Sequence, residues 1–564
     1  MYSTHTITKA FVMDGALSPC DQEQRGDLSS PECLYVRDGY LYCGYLRVVD
    51  IKKGVESRFE QSGVSGSATP FYLYNQARIE YNLDSYTSAL DKLAIPYILG
   101  YAAKANHNLE ILSVLRKHSQ AVSLTLVSGN ELLLALKAGF EPRNLVLNGN
   151  GKKRWELKLG VEKGCLINVD SEFGLYHTVK VCNDLGKSAR VLLRINPDID
   201  PDVHPYISTG LGETKFGVEL DGLEPLLEKI RDEPLIQLVG LHSHLGSTID
   251  NTRVFRESVE KMLELTNKVK QMGFKDIKYI DIGGGLGINY AKYANRTLSN
   301  QHHAITWDAD KPREILQLVS EKLKAYPETR EILRTLIGGL EDKTLSLPQF
   351  VDKVDSLLAD HPAVLRAVNH LLPDDHQLQI SVPTPEDLIS SIQNLLQDAD
   401  LTLILEPGRS IVGDCGCLVT EVIGCKKNGK KNFIVVDGAM TEVIRPSLYG
   451  AYHHVELAEP TSDPEFRVFD VVGPVCESGD FLAKDRLLAK PHEGCTLVVF
   501  DAGAYCSSMG SNYNMRARPA EVMVDGNTWR IIREPETFDD LAKHSGQGCL
   551  DAPKQPVSPQ SRPI

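Results

Sequence analysis

The sequence predicts an α/β protein: a (β/α)8 TIM-like barrel, a C-terminal β domain to which N-terminal strands contribute, and an all-α insert in the barrel. Three observations carry this. From about Ala77 to Arg409, short β-rich runs alternate with amphipathic helical stretches, the pattern of βα units and a parallel sheet. Beyond Arg409 the pattern changes to short strands separated by Gly and Asp turns. One connection exceeds a normal βα crossover by roughly 85 residues.

In chain order, barrel strands are expected at Tyr97–Ala102, Val122–Leu126, Leu145–Leu147, Leu166–Val169, Val191–Ile195, Leu238–His242, Tyr279–Ile282 and Leu401–Leu405. Eight such units close a barrel whose chemistry collects at the carboxyl ends of the strands. Leu34–Leu73 reads as β, like Asn432–Val436 and Thr496–Phe500. Residues 1–75 are therefore expected to join residues 411–550 in one β domain, with the barrel, 76–410, inserted between them. The insert, 295–380, shows helical periods in Glu314–Ile337 and Leu347–Leu372, with a helix start at Ser346-Leu-Pro-Gln. The tail, 551–564, is Pro/Ser-rich from Pro553 and is expected to be disordered.

Bulk properties narrow the function. A chain of 564 residues suits two or three domains, and 42% hydrophobic with 24% charged content is ordinary for a globular protein. The net charge of −14 gives no support for nucleic-acid binding. No apolar run approaches the roughly 20 residues that span a bilayer, so no membrane association is expected. Met1–Gly15 carries neither a signal-peptide core nor an arginine-rich transit pattern, which points to the cytoplasm and leaves an organelle open. Twelve cysteines are scattered, and Cys415-Gly-Cys417 lacks zinc-site spacing, so reduced thiols and no metal site are expected.

The motifs that carry chemistry lie at strand ends. Ile95–Ala103 is an apolar run ending in Lys104-Ala-Asn106, where partial burial would favour a nucleophilic amine able to condense with a carbonyl cofactor. His242-Ser-His-Leu-Gly-Ser247 ends the sixth strand and offers an imidazole for stacking on a flat ring and a hydroxyl for a phosphate. Asp281-Ile-Gly-Gly-Gly-Leu-Gly287 allows backbone N–H groups to converge on phosphate oxygens. Glu406-Pro-Gly-Arg409 supplies a carboxylate to face a pyridine nitrogen and a guanidinium to grip a carboxylate. Arg445-Pro-Ser-Leu-Tyr449 is a second anion clamp, and Cys476-Glu-Ser-Gly-Asp480 pairs an acid-capable thiol with a carboxylate for an ammonium group. Asp501-Ala-Gly-Ala-Tyr505 and Asn512-Tyr-Asn514 add phenols for a phosphate or carboxylate. Each has a structural alternative when read alone, such as a snorkelling lysine, a tight glycine turn or an inert buried cysteine.

Together, in this order, the motifs resemble the pyridoxal-phosphate decarboxylases of the alanine-racemase-like fold, most closely the family acting on diaminopimelate, over about Leu34–Val524 without the insert. The stretch His204–Gly210 through Lys215-Phe-Gly217 also fits. The resemblance implies pyridoxal 5'-phosphate as cofactor, with Lys104 as the Schiff-base lysine and Cys476 as proton donor. It implies that His244 stacks on the ring, that Ser247 and Gly283, Gly284 and Gly285 hold the phosphate, and that Glu406 pairs with the pyridine nitrogen. Gly408 and Arg409 would line the phosphate site, and Tyr513 would touch both phosphate and substrate. Arg409, Arg445 and Tyr449 would grip the distal carboxylate of meso-diaminopimelate, and Glu477 its distal ammonium. The implied assembly is a homodimer with shared active sites, the Cys476-type residue coming from the partner chain.

The chain departs from the family at Asn130, where glycine is usual, and at Asn148, where histidine is commoner; both are read as affecting loop geometry. The insert is the large departure. Leu347–Pro373 looks like the paired amphipathic helix modules that clasp a partner's helix, or is a helical insert packed on its own barrel or padding the oligomer. Two other functions compete with this one: decarboxylation of another basic amino acid (ornithine, arginine or a carboxylated polyamine), and a non-catalytic interaction protein that uses the insert. The Arg445/Tyr449 clamp weighs against the first and the full set of chemical residues against the second.

Overall fold

The computed structural model describes residues 11–12, 32–62, 68–200, 214–293, 327–342, 344–358, 382–462 and 465–545. Eight parallel strands close a barrel: Tyr97–Ala102, Val122–Leu126, Val146–Leu147, Leu166–Val169, Ala189–Arg194, Ile236–His242, Tyr279–Asp281 and Thr402–Leu405. The eighth pairs back onto the first in the register Leu403↔Tyr97, Ile404↔Ile98 and Leu405↔Leu99. The expected strands match these to within one or two residues at their ends.

The alternation of side chains along a strand builds the site. Val146, Leu166, Leu192 and Ile404, from four different strands, pack together with Val239 as an apolar plug inside the barrel. Their neighbours Leu147, Ile167, Leu193 and Leu405 point outward into the core shared with the helices. Two residues beyond each plug residue, on the same inward face, stand Asn148, Asn168, Arg194 and Glu406. A polar layer therefore lies one pleat above the plug, at the carboxyl end. The helices cover the outside through apolar stripes. Thr252–Gln271, for example, is capped by Asn251 and buries Val254, Phe255, Val259, Met262 and Val269.

Phe71–Asn75, just ahead of the barrel, lies in the β sheet between Gly416–Asn428, antiparallel, and Ala520–Asp525, parallel. The barrel sequence is thus inserted between strands of that sheet. Leu34–Arg37, Tyr40–Cys43 and Leu46–Arg47 form a separate three-stranded sheet. The β reading of Leu34–Leu73 fails for its middle, because Val48–Ser62 is a helix. Its buried residues, Val48, Ile51, Val55 and Phe59, recur at helical spacing, which outweighs the strand preference of β-branched side chains.

Of the insert, two helices are described, Pro327–Glu341 and Leu347–Leu358. They pack on one another, burying Leu333, Ile337, Phe350, Val354 and Leu358. Ser346 and Gln349 are hydrogen-bonded at the second helix's start, where the sequence places it. Residues 314–326 of the expected helical stretch Glu314–Ile337, residues 359–381 and the tail from 551 lie outside the described residues. Among the described residues, no helix is long and apolar enough to cross a membrane.

Candidate active site

A cavity of about 250 Å3 opens at the carboxyl end of the barrel. Lys104, His244, Ser247, Gly285, Glu406, Gly408, Arg409 and Tyr449 all line it, although they come from distant parts of the sequence. Lys104 rides on a single 3-10 turn, Ala103–Ala105, directly after the first strand. Ala103 and Ala105 are buried while the lysine is exposed to the cavity, not partly buried as the sequence suggested.

Glu406 is the best-held carboxylate in the cavity. Its Oε1 accepts from Thr125 Oγ1 at 3.0 Å and from Asn148 Nδ2 at 2.8 Å. Its Oε2 faces His242 Nε2 at 3.5 Å. Burial by itself would push the carboxyl up, but His242, then His244 and Lys104, outweigh it and hold it at about 2. Asp281, beside it on the seventh strand, goes the other way: burial and then the Glu406 charge push it well above the carboxylate range. Its Oδ1 accepts from Gly283 N at 2.9 Å. The proton thus stays on Asp281 and the negative charge on Glu406.

His244 accepts from Gly284 N at 3.2 Å through Nδ1, which leaves its proton on Nε2. Burial, then Lys104 and Arg194, push its pKa well below the ordinary imidazole value, so the ring is neutral. Only glycine fits at 283 and 284. A Cβ on Gly283, whose φ is +69°, would sit 2.7 Å from His244 Nδ1, and one on Gly284 would sit 2.1 Å from the Glu406 carbonyl oxygen.

At the other side of the cavity, Gly246, Gly285 and Gly408 leave a side-chain-free cradle beside Ser247. Arg409 donates to Ser247 Oγ through Nη2 at 2.9 Å and to Tyr290 OH through Nη1 at 2.5 Å. Its guanidinium lies over the Tyr505 ring, 4.8 Å from the centroid. A nucleophilic amine, a buried carboxylate across from a glycine and hydroxyl cradle, and a buried arginine fit pyridoxal phosphate.

Not every expected residue is in this cavity. Arg445 is buried one layer behind it, over the Tyr290 ring at 4.5 Å and donating to His453 Nε2 at 2.7 Å. Cys476, Glu477 and Tyr513 are exposed and do not line it. They cluster on the β domain, where Cys476 N donates to Asn514 Oδ1 at 2.7 Å. The phenols at the cavity are Tyr449, as expected, and Tyr505, whose backbone N–H donates to the Ala105 carbonyl at 2.8 Å, next to Lys104. The sequence reading names the Tyr505 motif without giving that phenol a role of its own. It also missed Thr125, Arg194 and Phe216, and it read Asn148 as a matter of loop geometry although Asn148 bonds Glu406 directly. The usable signal was a polar residue two positions beyond an inward apolar one at a strand's carboxyl end.

A barrel with this lysine, carboxylate and glycine cradle at its carboxyl end defines a pyridoxal-dependent decarboxylase. Residues 76–324 match the family model described as "Pyridoxal-dependent decarboxylase, pyridoxal binding domain". The chain belongs to the diaminopimelate decarboxylase family. It is 41% identical over 508 residues, 90% of this chain and 83% of the relative, to the Oryza sativa subsp. japonica protein named "Probable diaminopimelate decarboxylase, chloroplastic". It is 35% identical to the diaminopimelate decarboxylase of Aquifex aeolicus, over 85% of this chain and 91% of that one. The crystal structure of the Helicobacter pylori diaminopimelate decarboxylase complexed with L-lysine superposes with a TM-score of 0.66 at 30% identity, covering 87% of this chain and all of that one.

Proposed function

We infer that this chain decarboxylates meso-2,6-diaminopimelate to L-lysine and CO2, the last step of lysine biosynthesis, as a carbon–carbon lyase with pyridoxal 5'-phosphate as cofactor. The observation that carries this reading is the convergence of Lys104, Glu406, Ser247 and Arg409 on one cavity within a family member. When bound, the cofactor supplies an electron sink for the pair left behind as CO2 departs.

The chain's own residues do the rest. Lys104 offers the amine that retains the cofactor. Glu406, ionised at every working pH, faces its ring nitrogen. Neutral His244 presents a flat ring without competing for charge, and Ser247, Gly285, Gly408, Arg409 and Tyr505 hold the phosphate, while Gly283 and Gly284, expected there too, give their N–H groups to Asp281 and His244 instead. Arg409 and Tyr449 serve the distal carboxylate of the substrate, with Arg445 adding its charge from the layer behind; Glu477 serves the ammonium, and Tyr513 both substrate and phosphate. Cys476 returns a proton to the carbon that lost the carboxyl group.

In this reading Cys476, Glu477 and Tyr513 reach the cavity from a second copy of the chain. What supports that is their exposure away from their own cavity, together with exposed apolar side chains on the barrel: Val127 at the cavity, and Leu133, Trp155, Phe173 and Tyr176 on the helices that follow the second, third and fourth strands. The insert leaves from the same end of the barrel, and a partner's amphipathic helix is its proposed occupant. The cytoplasm is the proposed compartment, and the rice relative's name makes an organelle the alternative.

The test is an absorbance titration of the purified chain with pyridoxal phosphate, followed by meso-diaminopimelate, with CO2 and lysine measured and ornithine and arginine as controls. A cofactor band that shifts with meso-diaminopimelate as CO2 and lysine appear supports the reading. Turnover of ornithine or arginine in its place overturns the substrate, and no cofactor binding overturns the reaction.

A further inference from the structure

The two oxygens of Glu406 are approached by the two ends of a single ring of buried polar side chains, hydrogen-bonded throughout except at the last step, where His242 Nε2 and Oε2 face one another without a hydrogen bond. From Oε1 the ring passes to Asn148 Nδ2, at 2.8 Å, and Asn148 Oδ1 in turn accepts from Asn168 Nδ2. The second hydrogen of that same amide goes to His242 Nδ1. Because Nδ1 accepts, the His242 proton sits on Nε2, the atom that faces Glu406 Oε2 at 3.5 Å. Thr125, an additional donor, shares Oε1 with Asn148. All of these side chains are buried: Thr125 is 3% exposed, Asn148 5%, Asn168 2% and His242 0%.

The ring is made by the barrel's geometry. Asn148 and Asn168 stand two residues beyond Val146 and Leu166 of the apolar plug, on adjacent strands. Lys152 ties those two strand ends together by donating to the Gly149 carbonyl at 2.5 Å and the Asn168 carbonyl at 2.6 Å. Asn168 Oδ1 has no hydrogen-bond partner, so the amide's orientation is decided by its two donated bonds.

We propose that Asn148 and Asn168 are positioning residues for Glu406: this amide pair fixes the direction of its carboxylate toward the cofactor's ring nitrogen, and holds His242 in the tautomer whose Nε2–H faces it. Amides suit the task because they give the carboxylate donors that do not titrate, unlike a histidine or lysine in the same place. The inference rests on the cofactor reading above.

The charged and titratable groups that face Glu406 are Arg194 from the fifth strand, His242 and His244 from the sixth, Asp281 from the seventh and Lys104 after the first. Without Asn148, Oε1 keeps only Thr125, and the carboxylate is free to turn away from the ring nitrogen. A side chain at 148 that returns an N–H to Oε1 restores that direction, whereas an apolar one of similar size does not.

The experiment measures the affinity of the cofactor-free full chain for pyridoxal phosphate by absorbance titration at about pH 7.5, for wild type, Asn148→Leu, Asn148→His and Thr125→Val. Expected is a loss of about tenfold in Asn148→Leu, the equivalent of one hydrogen bond to a charged group, recovered to within about threefold in Asn148→His, which returns an N–H donor to Oε1. No loss in Asn148→Leu, or an equal loss in Asn148→His, overturns the positioning role. Should Asn148→Leu fail to fold, Thr125→Val, which keeps the shape and removes the other donor on the same oxygen, decides by the presence or absence of the same loss. A wild type that binds no pyridoxal phosphate overturns the cofactor reading itself, an outcome distinct from an unchanged affinity.

Discussion

Glu406 at the mouth of the barrel and Glu442 in the β domain are both buried, 7% and 2% exposed, yet burial decides the charge of only one of them. Glu442 accepts from Ala439 N at 2.8 Å and Thr441 Oγ1 at 3.0 Å, with Arg516 the one cation acting on it. There burial wins and pushes the carboxyl up to about 7. Glu406 also has two neutral donors, but His242, His244 and Lys104 surround it as well and hold it at about 2. The barrel has concentrated hydrogen-bond donors, two imidazole rings and a lysine around a carboxylate that must stay charged. The β domain has buried a glutamate that spends much of its time neutral. The barrel region is built for chemistry, and the described β-domain region around Glu442 for holding a loop in place.

The same contrast governs the substrate residues. Everything assigned to the cofactor except Tyr513 is gathered by one chain, whereas Cys476, Glu477 and Tyr513 wait on the surface of the β domain. The largest effect is expected at Lys104. Lys104→Ala should leave no cofactor band after desalting and lower kcat by about four orders of magnitude. Cys476→Ala should keep the band and lose about a hundredfold in kcat. If the two regions meet only across a dimer, mixing and reassociating the two inactive variants should restore about a quarter of wild-type activity, because half the dimers then carry one intact site. No recovery on mixing, with dimers confirmed, would place Cys476 and Lys104 of a single chain in the same site.

A smaller effect separates the two glutamates. Glu442 keeps its proton in the folded chain up to about pH 7, while an unfolded glutamate releases it near 4.3. Its contribution to stability is therefore full below about pH 4.3 and is lost as pH rises toward 7, to a total of about 4 kcal/mol. Glu406 has the opposite sign: its contribution is present above about pH 4.3 and is lost as pH falls toward 2. Glu442→Gln should flatten the dependence of Tm between about pH 4.5 and 7 and raise Tm at pH 8, read by thermal melts of the full chain. An unchanged slope would mean that Glu442 is ionised in the fold.

How much of this could be read from the chain alone follows the reach of each signal. Strands buried on both faces read as apolar runs, so the barrel strands were legible to within a residue or two. Lys104, Ser247 and Glu406 were legible because each ends such a run. Val48–Ser62 was misread because its β-branched residues hid a helical spacing. Tyr505 and Tyr513 could not be ranked from sequence, since only the fold sets Tyr505 against Ala105. The Asn148–Asn168–His242 ring was invisible for the same reason. Its members lie on three strands, and the register that aligns them is a property of barrel closure rather than of any local segment.

The smallest expected effect is the most discriminating about where the proton lies. Asp281 is fully buried beside Glu406, and its Oδ2 has no hydrogen-bond partner. If the negative charge belongs to Glu406 and the proton to Asp281, then Asp281 acts as a neutral donor and an amide can replace it. Asp281→Asn keeps an oxygen for Gly283 N, presents an N–H where the carboxyl proton was, and removes the cost of holding a proton on a buried acid. Pyridoxal phosphate affinity should stay within about twofold of wild type across neutral pH, while Glu406→Gln should lose at least about tenfold. Were Asp281→Asn to fall as far as Glu406→Gln, the charge under the ring would be shared by both carboxyls, and the distinction drawn between one charged and one neutral acid would collapse.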